Sequence, residues 1–239
     1  MAMNAQCAHL ACAFSIVEIL SVLFQEVMDL EKDALILSKG HGVMALYACL
    51  HELGKVTKDE IGRYLKDGTR LHGLAQFDLS GNACATGSLG HGLPIATGIA
   101  YGRKRLGKDS RVFTIVGDGE LQEGSNWEAM QFASHHKLGN LTLIIDNNGW
   151  QAMGRTSSIL SLAPLDLKLE AFGFRTYHAD GHDLNNIKNQ LNKTNSISPI
   201  AIISETLKGH GISFTQDQNG WHYKRLTEGL YQKAVTELG

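Results

Sequence analysis

"RVFTIVGDGELQEG", residues 111–124, places one aspartate between two glycines directly after an apolar, β-branched run. The run Val112–Val116 lacks the alternation of polar and apolar residues that a half-exposed strand shows, which is typical of a strand buried on both faces of a parallel sheet. The residues that follow, about 124–138, have the length and composition of a helix. This stretch therefore predicts a buried strand, a polar turn at its carboxyl end and a helix that returns along the sheet.

The rest of the chain repeats this alternation of strands and helices. Further strands are predicted at Leu35–Leu37, Leu141–Ile145, Phe174–His178 and Ile200–Ser204. Further helices are predicted at about 13–29, 42–53, 91–106, 164–172, 183–193 and 226–238. The pattern predicts an α/β fold with a doubly wound, mostly parallel sheet and helices on both faces. No linker or repeat interrupts it, so residues 1–239 are expected to form a single domain.

The composition excludes several classes of function. The formal net charge is −2 over 239 residues, which does not favour a nucleic-acid-binding surface. No apolar run reaches the roughly 18 residues that span a bilayer, and the N-terminal region lacks the basic residues of a signal peptide. The four cysteines lack metal-ligand spacing: Cys7, Cys12, Cys49 and Cys84. They are interpreted as reduced thiols, which predicts a cytoplasmic protein.

A second polar turn, Asp-Asn-Asn at 146–148, follows the next predicted strand about thirty residues after the first. Parallel strands joined by one helix bring both turns to the same edge of the sheet, where ligands bind. Asp118 and Asn148 offer oxygen ligands of the kind that Mg²⁺ or Ca²⁺ prefers. Gly117 and Gly119 would let a phosphate approach the backbone beside a helix N-terminus. Each motif alone could be an ordinary turn, but the pair favours a site for a metal-bound diphosphate.

This pairing resembles the thiamine-diphosphate signature, and other stretches resemble the diphosphate-binding domain of transketolase. They occur in the order of that family: LSKGHG (37–42), ATGSLGHGLPIATGIAYG (85–102), GDGELQEGSNWEAM (117–130), EAFGF (170–174) and TLKGHG (206–211). The resemblance extends over nearly the whole chain. It implies transfer of a two-carbon ketol unit from a ketose donor to an aldose acceptor.

The resemblance also implies which residues bind the cofactor and the metal. The cofactor-binding residues would be His41, Gly87, Leu89, Gly117, Asp118, Gly119, Glu123, Asn148, Trp150 and His222. Three of these would bind the divalent cation, through the Asp118 carboxylate, the Asn148 amide and the backbone carbonyl of Trp150. Leu89 would pack beneath the thiazolium ring, although an ordinary core leucine is the alternative. Trp150 departs from the aliphatic residue expected at its position, and its indole could reshape the entrance.

Histidines are expected to contact the substrate. The resemblance assigns catalytic roles to His9, His41, His72 and His222. His9 lies in Ala8-His9-Leu10, whereas the family has Gly-His-Pro at this point. Neutral imidazoles can donate hydrogen bonds to substrate oxygens and exchange protons near pH 7. Four further histidines are assigned to packing or the surface: His51, His135, His136 and His178. His91 is assigned to the cap of a helix.

Two glutamates follow the metal aspartate in sequence. The resemblance suggests that Glu123 and Glu128 form a buried acidic relay between two cofactor sites across a dimer. The alternative is that Glu123 interacts electrostatically with a helix N-terminus and Glu128 is exposed.

In transketolases a pyrimidine-binding domain and a C-terminal domain follow, and neither is recognised in this chain. The resemblance therefore implies the N-terminal subunit of a split transketolase. Its partner would be a C-terminal subunit supplying the pyrimidine-binding domain and its glutamate, in an α₂β₂ assembly, and the lone chain would be inactive. Two alternatives stay open: the α subunit of a 2-oxoacid dehydrogenase decarboxylase component, and a non-catalytic scaffold that binds cofactor or partner only. The identity of the sugars is left open.

Overall fold

The computed structural model of the chain describes residues 1–77, 81–195 and 197–239, and a parallel β-sheet lies at its centre. The strands are β1 (Ala34–Leu37), β2 (Val112–Gly117), β3 (Leu141–Asn147), β4 (Trp150–Gln151), β5 (Gly154–Arg155), β6 (Arg175–Asp180) and β7 (Ile200–Glu205). Five of them form one sheet in the order β1-β2-β3-β7-β6, and every pairing in it is parallel. The short strands β4 and β5 form a separate antiparallel hairpin.

The helices connect these strands and cover the sheet. They are α1 (Ala2–Ala5), α2 (Leu10–Phe14), α3 (Val17–Val22), α4 (Val43–Glu52), α5 (Lys58–Gly62), α6 (Gly92–Arg105), α7 (Gly124–His135), α8 (Thr156–Ile159), α9 (Leu165–Ala171), α10 (Leu184–Leu191) and α11 (Glu228–Leu238). In the described part of the chain, no helix combines the length and the apolar character needed to cross a lipid bilayer.

Two apolar cores lie on the two faces of the sheet, because side chains along a strand point alternately to opposite faces. In β2, Phe113 and Ile115 join the core that α3, α4 and α10 complete. Val112 and Val116 join the second core, which α6, α7 and α9 complete. All four side chains are fully buried. The doubly wound α/β fold predicted from the sequence is confirmed.

The structure corrects the predicted helix at 13–29. The chain there forms α2, α3 and a π-helical turn at Leu23–Val27. The break lies at Ser15 and Ile16, where Ile16 leaves helical geometry (φ −130°, ψ 4°). At the break, the buried Ser15 hydroxyl donates to the Asp146 carboxylate at 2.8 Å and lies 3.0 Å from a second acceptor, the Cys12 carbonyl. The break in the helical pattern therefore coincides with a polar contact to a distant strand.

Candidate active site

The carboxyl ends of β2 and β3 bring the two predicted polar turns together. The strand register places Gly117 opposite Asp146, and the backbone N–H of Asp118 donates to the Asp146 carbonyl at 3.1 Å. The turn after β2 and the turn after β3 are therefore joined directly. This is the sheet edge at which the sequence predicts the metal and the diphosphate.

Asp118 is buried at this edge. One of its carboxylate oxygens accepts from the backbone N–H of Gly119 at 2.9 Å, and the other accepts from the Thr156 hydroxyl at 2.8 Å. Burial raises the pKa of Asp118 to about 6, because a buried carboxylate loses the solvation of its charge. A divalent cation beside this carboxylate would stabilise the ionised form. The chemistry of this group therefore fits a cation site.

Asn148 is held in one orientation by its neighbours. Its side-chain NH₂ donates to the Asp146 carboxylate at 2.9 Å, and its side-chain oxygen accepts from the backbone N–H of Trp150 at 2.9 Å. A carbonyl oxygen has two lone pairs, so the amide oxygen retains acceptor capacity for a cation. The Trp150 backbone is tied to the same amide. The three predicted metal ligands thus lie on two connected turns.

Space for a phosphate is present at Gly117. Apart from its chain neighbours, no atom of the described residues would lie within 4 Å of a Cβ built on Gly117, so this glycine faces open space. At Gly119 the same Cβ would lie 2.7 Å from Cβ of Gln151, so the missing side chain lets the β4–β5 hairpin pack closely. Gly117 is therefore consistent with the predicted diphosphate site, whereas the contact at Gly119 accounts for hairpin packing and its cofactor role stays a prediction.

A buried ionic network lies behind these turns. The Asp146 carboxylate forms an ion pair with the Lys39 ammonium and accepts from the Thr206 hydroxyl. Both charged groups are almost completely buried. Burial alone would lower the pKa of Lys39, but the adjacent Asp146 carboxylate raises it above its usual value. Neither residue was predicted as a site residue from the sequence, although Asp146 begins the polar turn at 146–148 and Lys39 lies in the LSKGHG motif.

Three of the four predicted catalytic histidines form a cluster next to this network. The ring centroids of His9 and His41 are 5.4 Å apart, those of His9 and His222 are 4.9 Å apart, and those of His41 and His222 are 5.8 Å apart. The backbone N–H of His9 donates to the His222 carbonyl at 3.1 Å. Three segments that are distant in sequence therefore converge on one small volume.

The histidines of this cluster are neutral at physiological pH. Burial lowers the pKa of all three, and the positive charges of Lys39 and Lys208 lower it further. For His222 the pKa falls to about 3. The cluster can therefore donate or accept hydrogen bonds as neutral imidazole.

Lys208 sets the orientation of His222. Its ammonium lies 3.1 Å from Nδ1 of His222 and 3.2 Å from the side-chain oxygen of Asn219. The Cys12 thiol also faces Nδ1, at 3.7 Å. Because an ammonium can only donate, Nδ1 of His222 is the acceptor, and the proton of the neutral ring lies on Nε2.

Comparison with known proteins identifies the family. The chain matches the family described as transketolase, thiamine diphosphate binding domain, over residues 2–239. The chain belongs to the transketolase family. It is 38% identical to one subunit of the apulose-4-phosphate transketolase of Actinobacillus succinogenes, over 96% of this chain and 87% of that protein. It is 34% identical to 6-deoxy-6-sulfo-D-fructose transketolase subunit SqwG of Clostridium sp. over 96% of this chain and 88% of that protein.

Longer transketolases match over the same residues. The chain is 36% identical to human transketolase over 96% of its own length but only 38% of that protein. It superposes on the transketolase of Campylobacter jejuni with a TM-score of 0.84 and 25% identity, covering 99% of this chain and 42% of that chain. The chain thus spans about two fifths of the longer transketolases, and it corresponds to their thiamine diphosphate-binding domain. The sequence-based prediction of an N-terminal, subunit-type transketolase chain is confirmed.

The other transketolase site residues predicted from the sequence occupy more exposed positions. His72 is exposed, and its backbone carbonyl accepts from the Tyr47 hydroxyl at 2.9 Å. Within residues 1–77, 81–195 and 197–239, no ring contact joins it to the histidine cluster. Leu89 is 38% exposed, so a single chain does not use it as a core leucine. At Gly87 an added Cβ would lie 2.8 Å from the Leu74 side chain. These roles stay predictions.

Glu123 and Glu128 are both exposed on the single transketolase chain. Glu123 occupies the N-cap position of α7 but forms no side-chain capping hydrogen bond. The relay that the sequence predicts requires a second subunit, so it stays a prediction.

Glu120 is a second buried acid on this turn, and it was not predicted as a site residue from the sequence. Its carboxylate accepts from the backbone N–H of Gly90 at 2.9 Å, from that of Gly117 at 3.1 Å, and from the Ser38 hydroxyl. Burial raises its pKa. Glu120 therefore joins the GSLG turn to the GDG turn of the transketolase site. Its position directly after Gly119 was the only signal in the sequence.

Five further histidines occupy packing, surface and cap positions. Nδ1 of His51 donates to the Val56 carbonyl at 2.7 Å, and His136 packs against Tyr101 and Phe132. Two are exposed, His135 and His178. His91 is the N-cap residue of α6, without a side-chain capping bond.

A second polar cluster contains Glu18, His182 and His210. Nδ1 of His182 lies 3.0 Å from the Glu18 carboxylate, and Nε2 of His182 accepts from the backbone N–H of Leu207 at 2.8 Å. The His182 and His210 rings are stacked with centroids 3.6 Å apart and an angle of 17° between their planes. A metal bound by both histidines would have to lie near both ring planes, which this stacking does not allow. The cluster instead supports the segment that leads from β7 to Lys208.

Proposed function

We propose that this chain is the diphosphate-binding subunit of a transketolase that transfers a two-carbon ketol unit from a ketose donor to an aldose acceptor. The observation that carries the proposal is the position of Asp118 and Asn148 on directly connected turns at the sheet edge where the GDG motif lies. The three-histidine cluster adds neutral donors, and Lys39 and Lys208 reduce the pKa values of its members.

The metal would be held by the Asp118 carboxylate, the Asn148 side-chain oxygen and the Trp150 carbonyl. These are hard oxygen donors, which suit Mg²⁺ or Ca²⁺. The remaining residues proposed to bind the cofactor are His41, Gly87, Leu89, Gly117, Gly119, Glu123 and His222. When bound, thiamine diphosphate supplies the covalent chemistry that carries the ketol unit, and this chain anchors and orients it.

His222 acts as a hydrogen-bond donor at Nε2. Its Nδ1 accepts from Lys208, so the ring cannot present Nδ1 to a substrate. A neutral N–H can bind a substrate hydroxyl or a developing oxyanion without carrying a permanent charge. His9 and His41 lie beside it, and we assign these three and the exposed His72 to contacts with the oxygens of the donor sugar.

The partner would be a C-terminal transketolase subunit. This chain aligns with 87% and 88% of the lengths of two relatives that are named as transketolase subunits, which supports a two-chain enzyme. We assign the pyrimidine-binding domain and its glutamate to that partner, and an α₂β₂ stoichiometry to the assembly. Residues 1–239 would then form the diphosphate-binding domain alone. The exposed Glu123 and Glu128 are proposed to become buried where two copies meet.

A cytoplasmic location is proposed as well. All four cysteines are free thiols, and cytoplasmic conditions keep thiols reduced.

Titration calorimetry with Mg²⁺ and thiamine diphosphate tests the site, using the full chain together with its partner subunit. Asp118→Ala should abolish Mg²⁺-dependent cofactor binding because it removes the only charged protein ligand, and Asn148→Ala should be nearly as damaging. An unchanged affinity in Asp118→Ala would overturn the site assignment. Glu26→Ala, on the exposed Lys188–Glu26 ion pair, is the control and should bind normally.

Assay of the separate and mixed chains tests the activity. The lone chain is expected to be inactive, and the mixture should transfer a ketol unit between ketose and aldose pairs. Ketol transfer by the lone chain would refute the two-subunit proposal. Decarboxylation of a 2-oxoacid would instead support a 2-oxoacid dehydrogenase α subunit. Cofactor binding without any turnover of the mixture would support a scaffold.

A further inference from the structure

Asp217 connects two parts of the candidate site that are distant in sequence. One carboxylate oxygen accepts from the indole N–H of Trp150 at 2.6 Å, and the other accepts from the Arg155 guanidinium at 2.6 Å. The guanidinium carbon of Arg155 lies 3.9 Å from the centroid of the Trp150 ring. We call Trp150, Arg155 and Asp217 the Asp217 latch.

On one side, the latch holds the β4–β5 hairpin against the metal turn. Trp150 and Arg155 are cross-strand partners in this hairpin. The backbone N–H of Trp150 donates to the Asn148 side chain at 2.9 Å, and the Thr156 hydroxyl, next to Arg155, donates to the Asp118 carboxylate at 2.8 Å. The hairpin therefore contacts Asn148 directly and carries the third proposed ligand, the Trp150 carbonyl, while the residue that follows the hairpin, Thr156, contacts Asp118.

On the other side, the latch holds the segment that carries His222. The backbone N–H of Asp217 donates to the Lys208 carbonyl at 2.8 Å. Two residues later, Asn219 accepts from the Lys208 ammonium at 3.2 Å and donates to the Ala152 carbonyl at the tip of the hairpin, also at 3.2 Å. Lys208 in turn contacts Nδ1 of His222. Displacing Asp217 would therefore disturb the group that fixes the tautomer of His222.

We infer that Asp217 is a positioning residue that couples the metal-binding hairpin to the His222 segment through Trp150 and Arg155. The inference rests on the proposed function, because it assigns the metal to the Trp150 carbonyl and a substrate contact to His222. It also explains the tryptophan that replaces the expected aliphatic residue at 150: its indole N–H is the donor through which the hairpin reaches Asp217.

The geometry distinguishes the latch from an ordinary surface ion pair. Arg155 and Asp217 are 43% and 42% exposed, and an exposed ion pair alone contributes little to stability. Lys188 and Glu26 form a pair of nearly the same exposure, 43% and 40%. Among the contacts of the described residues, that pair has neither an indole hydrogen bond nor a ring stacked on it. Glu26→Ala is therefore a matched control for loss of an exposed carboxylate.

A residue substituted for Asp217 must tolerate a left-handed backbone conformation, because φ is 56° at this position. Asparagine and glycine tolerate this conformation, whereas alanine is strained there. Asp217→Asn keeps one acceptor and loses the charge. Asp217→Gly removes both acceptors without backbone strain. Trp150→Phe keeps an aromatic ring under Arg155 and removes the N–H.

Hydrogen exchange on the full chain measures the coupling without cofactor or turnover. In Asp217→Gly, amide exchange should rise roughly tenfold in both residues 149–156 and residues 217–222, as expected for loss of charged hydrogen bonds. Asp217→Asn and Trp150→Phe should give smaller increases in the same two segments, and Glu26→Ala should change neither. An Asp217→Gly chain with wild-type exchange in 149–156 would overturn the proposal.

Mg²⁺ dependence of thiamine diphosphate binding, measured with the partner subunit present, provides the second readout. Groups that orient metal ligands typically affect metal affinity by about 10–100-fold, so Asp217→Gly should raise the Mg²⁺ midpoint by that factor and Asp217→Asn should restore part of the loss. An unchanged midpoint in Asp217→Gly would overturn the coupling. If wild-type protein itself fails to bind Mg²⁺ and cofactor, the proposed function fails, while the exchange experiment still tests the latch.

Discussion

Replacing Lys39 by methionine tests the buried network most directly. Methionine keeps an unbranched chain of similar length but leaves the Asp146 carboxylate buried without its cation. Among its described contacts, the carboxylate then keeps only neutral donors, from Ser15, Asn148 and Thr206. Removing one partner of a buried ion pair typically destabilises a protein by about 3–5 kcal/mol. That is a large part of the roughly 5–15 kcal/mol of a typical domain.

The cost of protonating the Asp146 carboxyl gives a destabilisation of similar magnitude for Lys39→Met, and it also predicts how the destabilisation depends on pH. The buried carboxyl can avoid an unpaired charge by taking up a proton. A free aspartate has a pKa of about 3.9, so holding the proton at pH 7 costs about 4 kcal/mol, and at pH 5 about 1.5 kcal/mol. Because the unfolded chain ionises as pH rises and the folded variant does not, the destabilisation should grow with pH. Loss of packing alone would give a nearly constant difference.

Urea unfolding of wild type, Lys39→Met and Lys39→Met with Asp146→Asn at pH 5 and pH 7 measures these terms. The double variant should recover part of the stability, because it leaves no charge at either position of this pair. A single variant within about 1 kcal/mol of wild type at pH 7, or a difference that does not shrink at pH 5, would refute the account of this ion pair. If Lys39→Met does not fold at pH 7, the double variant and the pH 5 measurement still decide the question.

The site supports three further predictions. His41→Ala and His72→Ala should lower kcat/KM for a ketose donor by roughly 10²–10⁴-fold while changing cofactor affinity less, and wild-type turnover in both would make these histidines structural. His222 should stay neutral in NMR titrations from pH 8 to pH 5, because its pKa in the folded state is about 3. The unfolded chain takes up this proton at a higher pH, near 6.5. The folded state should therefore lose stability as the pH falls from about 6.5 toward 3. A His222 midpoint above pH 5 would contradict this. Glu120→Ala should lower the free energy of unfolding by at least about 1–3 kcal/mol, because it leaves the buried N–H groups of Gly90 and Gly117 without an acceptor. A smaller loss in urea unfolding would contradict the structural role of Glu120.

The strands that place the site could be predicted from the sequence because each is a short run of buried β-branched residues. The prediction for β2 ended at Val116, one residue before the observed end at Gly117. The hairpin of β4 and β5 could not be found in this way, because strands of two residues have no periodicity. Trp150 and Arg155, which pair across the two strands, both donate to Asp217, some sixty residues away. The geometry of the hairpin therefore depends on a distant residue.

The buried charges could not be predicted for a related reason. Lys39, Asp146 and Glu120 belong to residue types that are rarely buried, so an exposed position is the normal expectation for each. Only the fold shows that Lys39 and Asp146 are buried together. The histidine cluster could be predicted as a set of residues, through the family resemblance, but the proton on Nε2 of His222 follows only from the position of Lys208.

The two buried lysines differ in their charge balance, and this difference bears on the ligand. Lys39 is compensated by Asp146. Lys208 contacts the neutral groups of Asn219 and His222, and in residues 1–77, 81–195 and 197–239 no carboxylate lies within ion-pair distance of it. Burial lowers the pKa of Lys208, as expected for a cation without a paired anion. The uncompensated positive charge of the site therefore lies next to His222, one of the histidines proposed to meet the substrate. An anionic diphosphate bound beside Lys208 would raise its pKa again, because the negative charge would stabilise the ammonium.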